Sequence, residues 1–76
     1  MQPYNDRDGD SNIDAFEIGN DYIKVQFHDG LVYIYTYISA GSNHIENMKR
    51  LAGEHDGLNA YISTNKPRYQ SKQKLF

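Results

Sequence analysis

The chain has 76 residues, no cysteine and a formal net charge of −2. This length predicts one domain, and the lack of cysteine excludes disulfide bonds and thiolate metal sites as supplements to its small core. No segment approaches the ~20 apolar residues that a membrane helix needs, and the N-terminus lacks a secretory pattern. We therefore expect a cytoplasmic protein that has no membrane partner.

Charge is distributed unevenly along the chain. Residues 1–21 carry six acidic side chains against one arginine, whereas residues 66–76 carry four basic side chains and no acid. We interpret residues 1–10 as a flexible acidic leader, residues 11–69 as the single domain, and residues 70–76 as a basic, disordered tail.

The clearest predicted element is a β-hairpin centred on Asp29-Gly30. Apolar and polar residues alternate over residues 22–27, the period of a half-buried strand, and residues 31–37 are rich in β-branched and aromatic side chains. Asp-Gly is typical of a two-residue type I′ turn. A further strand is predicted before the turn that begins at Gly19, so the sequence indicates a three-stranded antiparallel sheet.

A two-residue turn would sort the hairpin side chains onto two faces. It places Phe27 opposite Val32 and Val25 opposite Ile34, which gives an aliphatic core face. The other face would carry Tyr22, Lys24, Gln26, Tyr33, Tyr35 and Tyr37. Two interpretations of this tyrosine face stay open: a boundary that packs beneath the helices, or a platform on which RNA bases stack.

Two short helices are predicted after the sheet. The first starts from Asn43 as N-cap, with Glu46 at the spacing of a capping box, and stops at Gly53. The second covers about residues 58–65 and is capped by Asp56. The predicted fold class is therefore α+β, an antiparallel three-stranded sheet followed by two short helices.

Residues 6–17 follow the spacing of a calcium-binding loop. Oxygen-bearing side chains occupy loop positions 1, 3, 5, 9 and 12, namely Asp6, Asp8, Asp10, Asp14 and Glu17. Ca²⁺ takes six to eight such oxygens. Against this, Ser11 stands where the sharp turn needs glycine, and the end of the loop overlaps the first strand. A solvated acidic leader and a Ca²⁺ loop both remain as interpretations.

Several short motifs occur in a characteristic order. Residues 25–35 read Val-Gln-Phe-His-Asp-Gly-Leu-Val-Tyr-Ile-Tyr, and Gly57, Asn59 and Ile62 follow, with Tyr69 beyond them. This order resembles the KTSC domain family, found at the C-terminus of some lysyl-tRNA synthetases, over residues 11–69. The family has a Val-x-Phe-x-x-Gly-x-x-Tyr-x-Tyr core, a Gly…Asn…Ile segment and a closing tyrosine. The resemblance implies a small α+β bacterial domain, with RNA binding suggested by the fusion to a synthetase.

No spacing of serine, histidine and acidic residues indicates catalysis, so we expect no enzyme. The sequence predicts a small binding module, monomeric or weakly dimeric, with RNA as the first partner. A protein-interaction or homo-oligomerising module is the alternative, and a Ca²⁺ loop is the second alternative. The candidate nucleic-acid-binding residues are Tyr22, Lys24, Tyr33, Tyr35, Tyr37, Lys66 and Arg68.

Overall fold

A computed structural model of the chain describes residues 1–5 and 12–74. The strands are β1 (Gln2–Pro3), β2 (Ile13–Ile18), β3 (Tyr22–Phe27), β4 (Leu31–Thr36) and β5 (Ser71–Lys74). The helices are α1 (Tyr37–Ala40), α2 (Ser42–Glu54) and α3 (Leu58–Asn65). Within the described residues, none of these helices combines the length and the apolar character required to cross a membrane.

The five strands form one antiparallel sheet in the order β1-β2-β3-β4-β5, and the three helices lie in the chain between β4 and β5. The α+β class is confirmed, but the sheet has two more strands than predicted. Both additional strands are short edge strands with exposed side chains. Backbone hydrogen bonds hold such strands without any hydrophobic pattern, so neither strand could be recognised from side-chain alternation.

Residues 1–5 and 71–74 are therefore more ordered than predicted. Residues 71–74 pair with β4 as β5, so the prediction of a disordered tail is wrong for these residues. At the other end, β1 pairs with β2, and Tyr4 is buried with 6% exposure. The first five residues are thus part of the fold and not a flexible leader.

The hairpin exists, but its register differs by one residue from the prediction. Val25 lies opposite Tyr33 instead of Ile34. The Gly30 N–H donates to the Phe27 carbonyl at 3.0 Å, and Gly30 has φ of +87°. These features describe a three-residue loop over residues 28–30, in which glycine takes the left-handed position. The additional loop residue moves every β4 side chain to the other face of the predicted sheet.

The helices pack on the sheet face that carries Ile23, Val25 and Tyr35. Together these layers form one core, whose buried members are Tyr4, Ile13, Phe16, Ile23, Val25, Tyr35, Ile45, Met48, Ala52 and Leu58. By the observed pairing, Lys24 and Ile34 lie on the opposite, outer face. The predicted tyrosine face therefore does not form, because Tyr35 lies beneath the helical layer.

Helix α3 has the bounds that the sequence predicted. The N-caps of α2 and α3 differ from the predicted ones. The N-cap of α2 is Gly41 and not Asn43, and the N-cap of α3 is Gly57 and not Asp56. The last residue of α2 is Glu54, beyond the predicted stop at Gly53. Neither N-cap has a side-chain hydrogen bond, so these two helices are held by the packing of their apolar faces.

A capping box does occur, but at α1. The Thr36 hydroxyl oxygen accepts from the Ser39 N–H at 3.0 Å, and the Ser39 hydroxyl oxygen accepts from the Thr36 N–H at 3.0 Å. This reciprocal pair satisfies two backbone donors where β4 passes into the helix. It ends the strand at Thr36, so Tyr37 belongs to α1 and not to the sheet.

Candidate nucleic-acid interface

The helical layer leaves an open groove on the core side of the sheet. We call it the aromatic groove, and its apolar lining includes Phe27, Tyr33, Tyr35, Ile62 and Tyr69. Two adjoining cavities of about 400 Å³ and about 600 Å³ make up the groove, and Tyr33, Tyr35 and Ile62 line both of them. These volumes lie in the range of ordinary ligand sites.

The rings of the groove meet at steep angles around Tyr33. Its ring centroid lies 4.8 Å from that of Tyr69 at 88° and 5.3 Å from that of Phe27 at 78°. Edge-to-face contacts of this kind stabilise an aromatic cluster beyond its burial alone. Tyr33 remains half-buried and Tyr69 is 45% exposed, so part of each ring faces the groove.

Hydrogen bonds on both sides hold Tyr69 in place. The Ser39 hydroxyl donates to the Arg68 carbonyl at 2.8 Å, and the Gln70 N–H donates to the Ile34 carbonyl at 2.6 Å. The Ser39 hydroxyl belongs to the capping box of α1, so the strand end and the C-terminal segment are joined there. An exposed ring on an anchored backbone is prepared for stacking with little further loss of entropy.

Cations lie beside these rings. Lys72 is opposite Tyr33 in the sheet register, and its Nζ atom lies 5.9 Å from the ring centroids of both Tyr33 and Tyr69. Lys66 and Arg68 are exposed on either side of the buried Pro67. Among the described residues that line the larger cavity there is no acidic side chain, so this half of the groove attracts anions.

Tyr35 forms the floor of the groove. It is 2% exposed, and burial, followed by the nearby Tyr33 and Tyr69 hydroxyls, raises its pKa to about 12. Burial disfavours the phenolate because the charged form loses its hydration. Tyr35 therefore stays neutral at physiological pH and supplies the floor of the groove instead of an exposed stacking ring.

The structure brings some of the predicted site residues together and separates others. Tyr33, Tyr35, Lys66 and Arg68 all line the groove. The remaining three predicted residues, Tyr22, Lys24 and Tyr37, lie elsewhere in the fold.

Tyr22 and Lys24 form a cluster with Glu17 on the outer face. The Tyr22 hydroxyl donates to the Glu17 carboxylate at 2.8 Å, and Lys24 Nζ lies 3.7 Å from the same oxygen. The Tyr22 hydrogen bond, with Lys24 second, lowers the pKa of Glu17. On the helical side, Tyr37 donates to Glu46 at 2.6 Å. Tyr22 and Tyr37 therefore each hydrogen-bond a nearby glutamate and do not belong to the aromatic groove.

Half of the predicted calcium loop, residues 6–11 with Asp6, Asp8 and Asp10, lies outside the described residues. Asp14 and Glu17 are described, and both lie in β2. Asp14 contacts the His28 ring, and Glu17 is bonded to Tyr22. No group of three or more metal-ligating side chains occurs within residues 1–5 and 12–74. The overlap of the loop end with the first strand, predicted from the sequence, is confirmed.

Tyr69 was missing from the predicted site. Tyr69 lies in the polar segment between α3 and β5 and belongs to neither element, so no hydrophobic period marked its ring as part of a face. The KTSC resemblance includes a closing tyrosine as a signal, although Tyr69 lies further from Ile62 than that tyrosine usually does. Comparisons with protein-family models, curated proteins and solved structures found no match to this chain. The KTSC resemblance stays a prediction.

Proposed function

We propose that this chain is a non-catalytic module that binds single-stranded nucleic acid, RNA in the first place, in the aromatic groove. The observation that carries the proposal is the position of Lys72 beside both rings of the Tyr33–Tyr69 pair. A cation next to partly exposed rings offers one contact for a phosphate and one for a base. This combination is typical of proteins that bind single strands.

The polarity of the groove supports the same ligand. Lys66, Arg68 and Lys72 lie along its larger half, while the walls between them are aromatic and aliphatic. A single strand alternates charged phosphates with flat apolar bases and therefore matches such a surface. If all three cations contact phosphates, log K falls with log salt at a slope near −2, since each single-strand contact contributes about −0.7.

The shape of the groove disfavours a duplex. Tyr69 meets Tyr33 at 88°, so the rings are walls of a concave site and not a flat surface. Paired bases keep their faces stacked inside the helix, whereas an unpaired base can insert its face between side chains. The proposed site thus needs unpaired nucleotides.

Fluorescence anisotropy with a labelled single-stranded RNA tests the proposal. Tyr69→Leu keeps an apolar side chain but removes the stacking ring, and should weaken binding by about 5- to 150-fold, equivalent to ~1–3 kcal/mol for one stacked base. Tyr37→Leu is the matched control, because Tyr37 is similarly exposed at 38% but lies outside the groove. Absence of binding at low salt, or preferential binding of an acidic peptide, would overturn the proposal.

A further inference from the structure

The smaller cavity of the groove has a different rim from the larger one. It lies at the hairpin end, where Phe27 and Tyr33 line its apolar side, and its polar lining among the described residues is Asn12, His28 and Asp29. The larger cavity is bordered by cations, whereas this one has a carboxylate at its mouth. We propose that the smaller cavity is a subsite for one unpaired base and that it prefers guanine. This inference rests on the proposed function.

Asp29 is held where it can read the edge of a base. Its Oδ1 atom accepts from the Leu31 N–H at 3.0 Å, which fixes the side chain against the turn. Asp29 is exposed, and an ionised carboxylate accepts hydrogen bonds at about four lone-pair positions but donates none. The carboxylate therefore selects a base that presents neighbouring N–H donors.

The four RNA bases differ in this respect. Guanine presents its N1–H and its N2 amino group side by side, so both can donate to the two oxygens of one carboxylate. Adenine and cytosine each offer an amino group next to a ring nitrogen that accepts, and uracil offers one N–H between two carbonyl oxygens. A carboxylate repels such acceptors, so guanine fits Asp29 best.

The spacing joins this subsite to the basic half of the groove. Leu31, which anchors Asp29, is two residues from Tyr33 on β4, a separation of about 7 Å along the strand. Lys72 lies opposite Tyr33. A nucleotide could therefore place its base at Asp29 and its phosphate toward Lys72, with Tyr33 and Phe27 beside the base. Opposite charges at the two ends match the opposite polarities of the base edge and the phosphate.

Anisotropy titrations with short uridine oligomers test the inference, where one central position carries guanosine, adenosine, cytidine or uridine. We expect the guanosine oligomer to bind at least about fivefold more tightly than the others, the lower limit for one bidentate base contact. Asp29→Asn keeps a turn-forming side chain that can accept from Leu31 N–H, and should abolish the preference while retaining binding of the all-uridine oligomer. Asp56→Asn makes the same charge change outside the groove, so this variant should retain the preference for guanosine.

The outcomes distinguish the inference from the proposed function. Equal binding of all oligomers by the wild-type protein would overturn the guanine subsite and leave the proposed function standing. If Asp29→Asn retained the preference for guanosine, the guanine subsite would also be overturned, because the Asp29 carboxylate would not be the group that recognises the base. Binding of no oligomer would overturn the proposed function itself. If Asp29→Asn fails to fold by circular dichroism, guanosine monophosphate titrated into the wild-type protein must shift the Leu31 amide signal more than uridine monophosphate does.

Discussion

Lys72 on β5 lies directly opposite Tyr33 on β4, and its ammonium nitrogen is 5.9 Å from the centre of the Tyr33 ring. The same nitrogen is 5.9 Å from the Tyr69 ring. The edge strand β5 thus brings Lys72 to Tyr33, which is 39 positions away in the sequence, and to Tyr69, which is three positions away. The proposed site depends on this edge strand.

Removing the Lys72 charge should weaken nucleic-acid binding and reduce its salt dependence. For Lys72→Gln we expect a lower affinity for single-stranded RNA and a salt slope smaller in magnitude by about 0.7, the contribution of one phosphate contact. Lys24→Gln is the matched control, because this substitution removes the same charge from the outer face of the sheet. Anisotropy at several salt concentrations measures both quantities. Equal effects of the two substitutions would contradict the assignment of the groove.

Ionisation of Tyr35 should destabilise the fold at alkaline pH. Burial raises its pKa to about 12 from an ordinary value near 10, so between these values the unfolded chain loses this proton while the folded chain retains it. The contribution to stability is complete below about pH 10 and is lost as the pH rises through about 12. Urea unfolding of the wild-type protein and Tyr35→Phe from pH 8 to 12 measures this.

The Tyr35→Phe variant separates this effect from other alkaline titrations. Hydrogen bonds to Glu17 and Glu46 also raise the pKa values of Tyr22 and Tyr37, and these groups titrate in both proteins. The difference in unfolding free energy between wild type and variant isolates Tyr35. A difference that stays constant from pH 8 to 12 would show that Tyr35 is not buried as described.

Two glycine substitutions should have opposite effects on stability. Gly30 has φ of +87° in the hairpin loop, where an L side chain costs about 1–2 kcal/mol, so Gly30→Ala should lower the free energy of unfolding by that amount. Gly53 lies inside α2, and a Cβ atom there meets nothing within 4 Å. Gly53→Ala should raise stability by up to about 1 kcal/mol through helix propensity. Urea titrations compare them, and a neutral Gly30→Ala would contradict the observed loop.

The first residues of the chain should contribute measurably to stability. The Tyr4 hydroxyl oxygen accepts from the Leu58 N–H at 3.1 Å in a buried position at the start of α3. Tyr4→Phe removes this acceptor and leaves a buried donor, a loss of about 1–3 kcal/mol. Tyr22→Phe removes a partly exposed hydrogen bond to the Glu17 carboxylate, where water can replace the lost partner, and should lower stability less than Tyr4→Phe. Thermal unfolding compares the two, and equal losses would contradict an anchoring role for Tyr4.

The parts of the fold that the sequence predicted have strong local patterns. The hairpin has a strand period of two and the turn-forming pair Asp29-Gly30 within its loop, and α3 has an apolar face followed by Pro67, which cannot continue a helix. The register of the hairpin could not be predicted from the sequence, because Asp-Gly fits both a two-residue and a three-residue loop. That single residue decides which face carries Tyr35, so the predicted platform was wrong although both of its strands were present.

The remaining differences come from interactions between distant segments. β5 has no apolar alternation, and its pairing with β4 depends on backbone hydrogen bonds. Tyr69 reaches the groove because Ser39, on α1, bonds the Arg68 carbonyl. Neither contact is marked by local propensity. The two cations at Lys66 and Arg68 were identified from charge alone, since basic side chains without neighbouring acids are visible in the sequence.

The most direct test of the account is an NMR titration of ring-labelled tyrosines with a short single-stranded RNA at low salt. The account predicts that the Tyr33 and Tyr69 ring signals shift upfield as bases stack on them, while those of Tyr22 and Tyr37 stay in place. Unchanged Tyr33 and Tyr69 signals, or shifts confined to Tyr22 and Tyr37, would contradict it.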